Sequence, residues 1–183
     1  PPQFVEAGAR LGLPPVEAAE PDAHEFVAQS LLPFRKQGAG PGLAVGDLDG
    51  DHVDDLILGG LAGVPLRVFT QNAGRLQPVV SPALSGRASD VADAAPLIVD
   101  LNRDGIADLF LARAGVNQPA GSSRYQPQAY LGTAADGFVP AEGMLPDLPI
   151  SAGPVAAADW NRDGWIDLFI GGHMHRGIPK PWI

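Results

Sequence analysis

Three decapeptides of one design recur along this 183-residue chain and restrict its architecture more than any other feature. They are Asp47-Leu-Asp-Gly-Asp-His-Val-Asp-Asp-Leu56, Asp100-Leu-Asn-Arg-Asp-Gly-Ile-Ala-Asp-Leu109 and Asp159-Trp-Asn-Arg-Asp-Gly-Trp-Ile-Asp-Leu168. Each sets a carboxylate or amide oxygen at positions 1, 3, 5 and 9, and each lies between two short apolar runs. The first aspartates, Asp47, Asp100 and Asp159, fall 53 and 59 residues apart. That period is slightly longer than the roughly 40–50 residues of common propeller repeats.

Within each period the order of segments is the same. An apolar run (43–46, 96–99, 155–158) leads into the acidic loop, and a second run (56–58, 109–111, 168–170) leaves it. The first unit continues through 66–69, a turn at Asn72-Ala-Gly74 and a return near Leu76. The second continues through 128–131, a turn at Ala135-Asp-Gly137 and Phe138-Val139. Short runs between frequent Gly and Pro suit strands and turns, not long helices. Four short antiparallel strands per unit describe a propeller blade. The second unit is longer through 114–123, whose Gly, Ser, Pro and Asn predict an exposed loop. Residues 1–40 carry no acidic loop; 17–20 and 25–32 could form brief helical turns, limited by Pro14, Pro15, Pro21 and Pro33.

The oxygen spacing suits a hard cation. Calcium takes 6–8 oxygens at about 2.3–2.6 Å in a tolerant geometry, whereas magnesium demands a stricter octahedron and keeps its waters. The expected ligands are Asp47, Asp49, Asp51 and Asp55 with the Val53 carbonyl; Asp100, Asn102, Asp104 and Asp108 with that of Ile106; and Asp159, Asn161, Asp163 and Asp167 with that of Trp165. About three Ca2+ sites follow. An EF-hand is excluded, because position 12 is Leu58, Leu111 or Ile170 instead of a bidentate Glu. The first loop has the most carboxylates but carries His52 where the others have Gly105 and Gly164. If that position needs a positive φ, His makes the first site the least ideal of the three.

The charge balance supports a local role for the acidity. Lys and Arg total 12 against 21 Asp and Glu, a formal charge of -9, and 11 of those acids lie in the three loops. Such a chain lacks the basic face that nucleic acid or an anionic membrane requires. It has no cysteine, hence no disulfide, thiolate metal site or cysteine nucleophile. No stretch approaches the roughly 20 apolar residues of a membrane span, so membrane insertion is not expected. The chain opens on Pro-Pro and is expected to be a fragment of a longer one.

The segments G-L-A-V-G-D-L-D-G-D-H-V-D-D-L-I-L-G-G, P-L-I-V-D-L-N-R-D-G-I-A-D-L-F-L and V-A-A-A-D-W-N-R-D-G-W-I-D-L-F-I-G-G resemble the FG-GAP/VCBS repeat family, whose blades build integrin-α-like β-propellers. The lead-in L-L-P-F-R-K-Q-G-A-G-P-G (31–42) is similar to the approach to such repeats in large exported bacterial proteins related to cartilage acidic proteins. The resemblance covers roughly residues 26–183. It implies calcium ligation by the loops' Asp and Asn residues and a place outside the cytoplasm: secreted, periplasmic or at the cell surface. His52 in place of Gly and the lack of a literal Phe-Gly…Gly-Ala-Pro signature depart from the family pattern.

Other candidates are weaker. His173-Met-His175 lacks a third ligand, and His24-Glu25 lacks the second His of a zinc-protease helix, with Ala28 in its place. Trp160, Trp165 and Trp182 could stack on sugars, but packing against a neighbouring unit is the expectation for Trp165. Arg103 and Arg162 are expected to offset loop charge from the solvent side.

The fold expected is therefore all-β: a partial β-propeller of about two and a half to three four-stranded blades with Ca-binding inter-strand loops. A lead-in over 1–40, available to complete a preceding blade, is followed by repeat 1 (41–94), repeat 2 (95–153) and a partial repeat 3 (154–183). The function expected is non-enzymatic: binding or adhesion to a protein or glycan partner, with calcium mainly structural. The alternative is the propeller part of a larger exported carbohydrate-active enzyme.

Overall fold

A computed structural model of the protein describes residues 4–15, 41–84, 89–133 and 137–172. It is all-β apart from a single-turn helix, α1 (Gly8–Leu11), and a 3-10 turn at Ser123–Tyr125. The first sheet holds β1 (Leu43–Gly46), β2 (Asp55–Leu58), β3 (Arg67–Asn72) and β4 (Arg75–Val79), hydrogen-bonded in that order. The second repeats the order with β5 (Ala92–Val99), β6 (Asp108–Ala114), β7 (Gln128–Thr133) and β8 (Gly137–Pro140). The third pairs β9 (Ala152–Ala158) with β10 (Asp167–Gly172). All pairings are antiparallel. Each acidic loop joins the first two strands of its sheet, as the flanking apolar runs predict.

The strands follow from alternation. In the first sheet Ala44, Ile57 and Val68 share a cross-strand row and pack into a cluster with Leu109, Leu111, Tyr130 and Ile98 of the second. In the second, Leu97, Phe110 and Ala112 point the other way, against Val155, Leu168 and Ile170 of the third. The middle sheet is thus covered on both faces, which is why all seven residues of β6 are buried. β10 carries a similar apolar sequence, but only one of its faces is covered, and Phe169 on the other is 70% exposed. Leu43 and Val45 lie exposed on the first sheet in the same way. Between sheets, β1 lies against β5, and β9 against both β5 and β6. At Gly42, just before β1, a Cβ would collide with the Ala94 carbonyl oxygen.

Several boundaries differ from expectation. β5 and β9 begin three or more residues before their apolar runs. In β5 the added segment carries Asp93, which pairs across the sheet with Arg113 on β6. Both are buried; the Arg113 guanidinium donates to Asp93 and, at 2.7 Å, to Gln128 Oε1. The other Asp93 oxygen accepts the Gly60 amide at 2.6 Å, so this ion pair also latches the second sheet to the first. Burial raises the pKa of Asp93, and the Arg113 charge and Gly60 amide offset this only in part.

The hairpin predicted at 72–74 forms, with Ala73 (φ 50°) and Gly74 (φ 76°) as the two left-handed residues of a type I′ turn. The loop predicted over 114–123 is not wholly exposed. Val116 is buried, and the buried Tyr125 ties the loop back by donating from its hydroxyl to the Gly115 carbonyl at 2.9 Å. The helical turns expected at 17–20 and 25–32, and part of the turn at 135–137, lie outside the described residues.

Candidate metal centre

The three loops share one hydrogen-bond scheme in which side-chain oxygens organise backbone amides. The position-1 carboxylate faces the amides of positions 4 to 6. Asp47 accepts from Gly50 at 2.7 Å and His52 at 2.9 Å; Asp100 from Arg103 at 2.6 Å and Gly105 at 3.0 Å; Asp159 from Asp163 at 3.1 Å and Gly164 at 2.9 Å. The position-3 oxygen accepts the position-5 amide, from Asp51 to Asp49, Asp104 to Asn102 and Asp163 to Asn161. The position-5 carboxylate accepts the position-7 amide at 2.8 Å in all three, from Val53, Ile106 and Trp165. The side-chain oxygens of positions 1, 3 and 5 are thus held by the backbone amides of their own bend.

Position 9 has a second job that its spacing did not reveal. Asp108 is fully buried, and its two oxygens accept from Leu101 at 2.7 Å and from Gly132 on β7 at 2.8 Å. Asp55 does the same with Leu48 at 2.9 Å and Gln71 on β3 at 2.8 Å. Asp167 accepts from Trp160 at 2.9 Å. In the first two units this carboxylate pins the acidic loop to the third strand of its own sheet. The approach is close: a Cβ on Gly132 would overlap the Ala107 carbonyl.

The backbone explains the residue choice at positions 4 and 6. Both are left-handed in every loop: Gly50 and His52 (φ 82° and 65°), Arg103 and Gly105 (64° and 84°), Arg162 and Gly164 (60° and 88°). Each loop therefore carries one glycine and one side-chain-bearing residue in this region, with the order reversed in the first. The strain at His52 is matched by that at Arg103 and Arg162, a balance visible only once position 4 is known to be left-handed.

Among the described residues, Asp47, Asp49 and Asp55 are the one group of three acidic or imidazole side chains whose oxygens all lie within 4.8 Å of one another. Oxygens bound to one ion at about 2.3–2.6 Å lie at most about 5 Å apart, so the triad fits a calcium-sized cation. Asp51, engaged with the Val53 amide, is not part of that triad. In the other loops the position-3 residue is an amide, and Asn102 and Asn161 donate to Asp104 and Asp163 at 2.9 and 2.8 Å. These contacts join positions 3 and 5, and the three carboxylates of each of these loops do not converge within the distance that the first-loop triad meets.

The charges respond to this crowding. Desolvation raises the pKa of Asp49, and the nearby carboxylates of Asp55, Asp51 and Asp47 add to it beyond what the Asp51 amide takes away. Asp47 is lowered: desolvation opposes, but the His52 and Gly50 amides and the His52 charge outweigh it. Asp163 is lowered chiefly by the Trp165 amide, then by the Asn161 side chain and by the charge of Arg103.

Arg103 does not simply face solvent. Its guanidinium carbon lies 5.3 Å from the centre of the Trp165 ring, in the next loop along the chain. The guanidinium also borders Gly164, where a Cβ would sit 3.2 Å from Nη1. Trp165 is 53% exposed and packs on this neighbouring arginine, while Trp160 is 87% exposed. The reach of Arg103 escaped the sequence reading; its signal was the pairing of Arg at position 4 of one loop with Trp at position 7 of the following one. His24, Glu25, His173, His175 and Trp182 lie outside the described residues.

Comparison with known families matches the FG-GAP-like repeat twice, over residues 47–111 and 100–170. Each match runs from the first aspartate of one loop into the second strand of the following sheet, and the two overlap on the middle loop. No curated protein matches the chain.

Proposed function

The chain belongs to the FG-GAP-like repeat family, and on that footing we propose that it is a calcium-stabilised β-propeller module that acts outside the cytoplasm and presents its loops to a protein or glycan partner. Each sheet is one blade, with its first strand innermost. The close approach of β1, β5 and β9 supports this, as does the face-to-face cover of the middle sheet. The open faces around Leu43 and Val45, and around Phe169, are the two that neighbouring blades cover elsewhere in the stack. Further blades of a longer polypeptide complete the ring.

The observation that carries the proposal is the convergence of Asp47, Asp49 and Asp55 within a calcium-sized sphere. With Asp51 and the Val53 carbonyl they would hold one ion. The second and third loops would use Asp100, Asn102, Asp104, Asp108 and Ile106, and Asp159, Asn161, Asp163, Asp167 and Trp165. A bound calcium would supply two positive charges where the loop oxygens converge. The chain's own contribution is orientation, since the amides of positions 4 to 7 hold the side-chain oxygens of positions 1, 3 and 5. The role is mainly structural, with the blades serving adhesion or binding instead of catalysis.

Thermal unfolding with excess chelator and with millimolar calcium tests this. A site saturated at 100 times its dissociation constant stabilises by about 2.7 kcal/mol. At about 2–4 °C per kcal/mol for a chain of this size, each occupied loop raises Tm by roughly 5–10 °C. Identical melting in both buffers overturns the proposal.

A further inference from the structure

We propose that Arg103, although it belongs to the second acidic loop, is a positioning residue for cation binding in the third. The inference rests on the calcium reading above and extends it to how neighbouring sites are joined. Two features place the side chain there. Its guanidinium stands 5.3 Å from the Trp165 ring centre. It also borders Gly164, where a Cβ would sit a tight 3.2 Å from Nη1.

These two residues are positions 6 and 7 of the third loop, directly after its position-5 donor Asp163. Gly164 is left-handed, and Trp165 is the residue whose carbonyl is the position-7 donor. An arm that holds the Trp165 ring therefore fixes the peptide that must present that carbonyl. The left-handed backbone of Arg103 (φ 64°) is set by the Asp100 carboxylate, which accepts the Arg103 amide at 2.6 Å. Ligands of the second loop thus set the root of the arm, and the third loop holds its tip. The first loop has Gly50 at the equivalent position and extends no arm toward the second.

A guanidinium near a divalent ion also repels it. At physiological ionic strength the screening length is about 8 Å, so this repulsion is only partly screened at the distances within one loop. A contact with a ring face is worth about 0.5–1 kcal/mol at an exposed site, or roughly two- to five-fold in affinity. The proposal requires that positioning outweigh this repulsion, and the sign of the affinity change decides between the two.

The test uses the chain with Trp160→Phe and Trp182→Phe, leaving Trp165 as sole reporter, titrated with calcium at about 0.15 M salt. Trp165 emission should follow filling of the third loop, while calorimetry counts all sites. Arg103→Ala should weaken the fluorescence-detected site about two- to five-fold and leave the number of sites unchanged. Arg103→Lys, which keeps a cation for the ring, should recover part of the loss. In a Trp165→Leu background, calorimetry should show no further effect of Arg103→Ala.

An unchanged third site overturns the inference while leaving the calcium reading intact. So does a tightened one, the sign expected from charge repulsion alone, or a loss confined to the second site. Absence of calcium binding at every loop of the parent chain overturns both.

Discussion

Asp108→Asn separates what position 9 does for folding from what it does for a cation. Both carboxylate oxygens are buried and each accepts a backbone amide, Leu101 at 2.7 Å and Gly132 at 2.8 Å. Asparagine is nearly the same size but has one oxygen, so it keeps one of these bonds and turns an N–H₂ toward the other amide. Hydrogen bonds to a charged group contribute about 1.5–3 kcal/mol, and a buried amide left without an acceptor costs about 1–3 kcal/mol. Weakening one bond and orphaning the other amide should cost about 3–4 kcal/mol, a large share of the roughly 5–15 kcal/mol that holds a typical domain. The assay is urea unfolding in excess chelator, so that no cation contributes. Asp104→Asn is the comparator, since its carboxylate is exposed and the Ile106 amide it accepts is near water; it should cost less than about 1 kcal/mol. If Asp108→Asn lies within about 1 kcal/mol of the parent in chelator and is destabilised only when calcium is present, the anchoring role is wrong.

Other perturbations have equally definite outcomes. Arg113→Met leaves the buried Asp93 carboxylate without its partner and should cost about 3–5 kcal/mol in urea unfolding, with Asp93→Asn added to it recovering at least half. Ala73→Gly removes a left-handed alanine from the β3–β4 turn and should raise stability by about 0.5–1 kcal/mol; a lower urea midpoint would count against the type I′ turn. Asp163 has a depressed pKa in the folded state, so its stabilising contribution is complete above the ordinary aspartate value of 3.8 and is lost as pH falls through the depressed value. Carboxyl NMR titration in chelator should show Arg103→Ala moving that pKa back upward.

The sequence disclosed what depends on local order. Asp and Asn at fixed offsets announced the bends, the apolar runs announced the strands, and Asn72-Ala-Gly74 announced the hairpin, because each is decided within a few residues. What it hid depends on partners far along the chain. Asp93 reads as one more acid until β5 is known to start at Ala92 and to set it opposite Arg113, twenty residues away. Asp55 and Asp108 read as plain ligands until β3 and β7 return beside them with free amides. Arg103 looks like a solvated counter-charge until the third sheet docks on the second and brings Trp165 under it. The left-handed backbone at position 4 was masked because glycine, its usual marker, occupies it only at Gly50.

The most direct test of the central claim is diffraction from crystals grown in millimolar calcium, with anomalous scattering to identify the ion. The account predicts one calcium peak in each of the three loops, bounded by Asp47, Asp49 and Asp55 in the first and by the corresponding oxygens in the others. Loops without a peak, with these side chains bonded only to their own backbone amides, would contradict it.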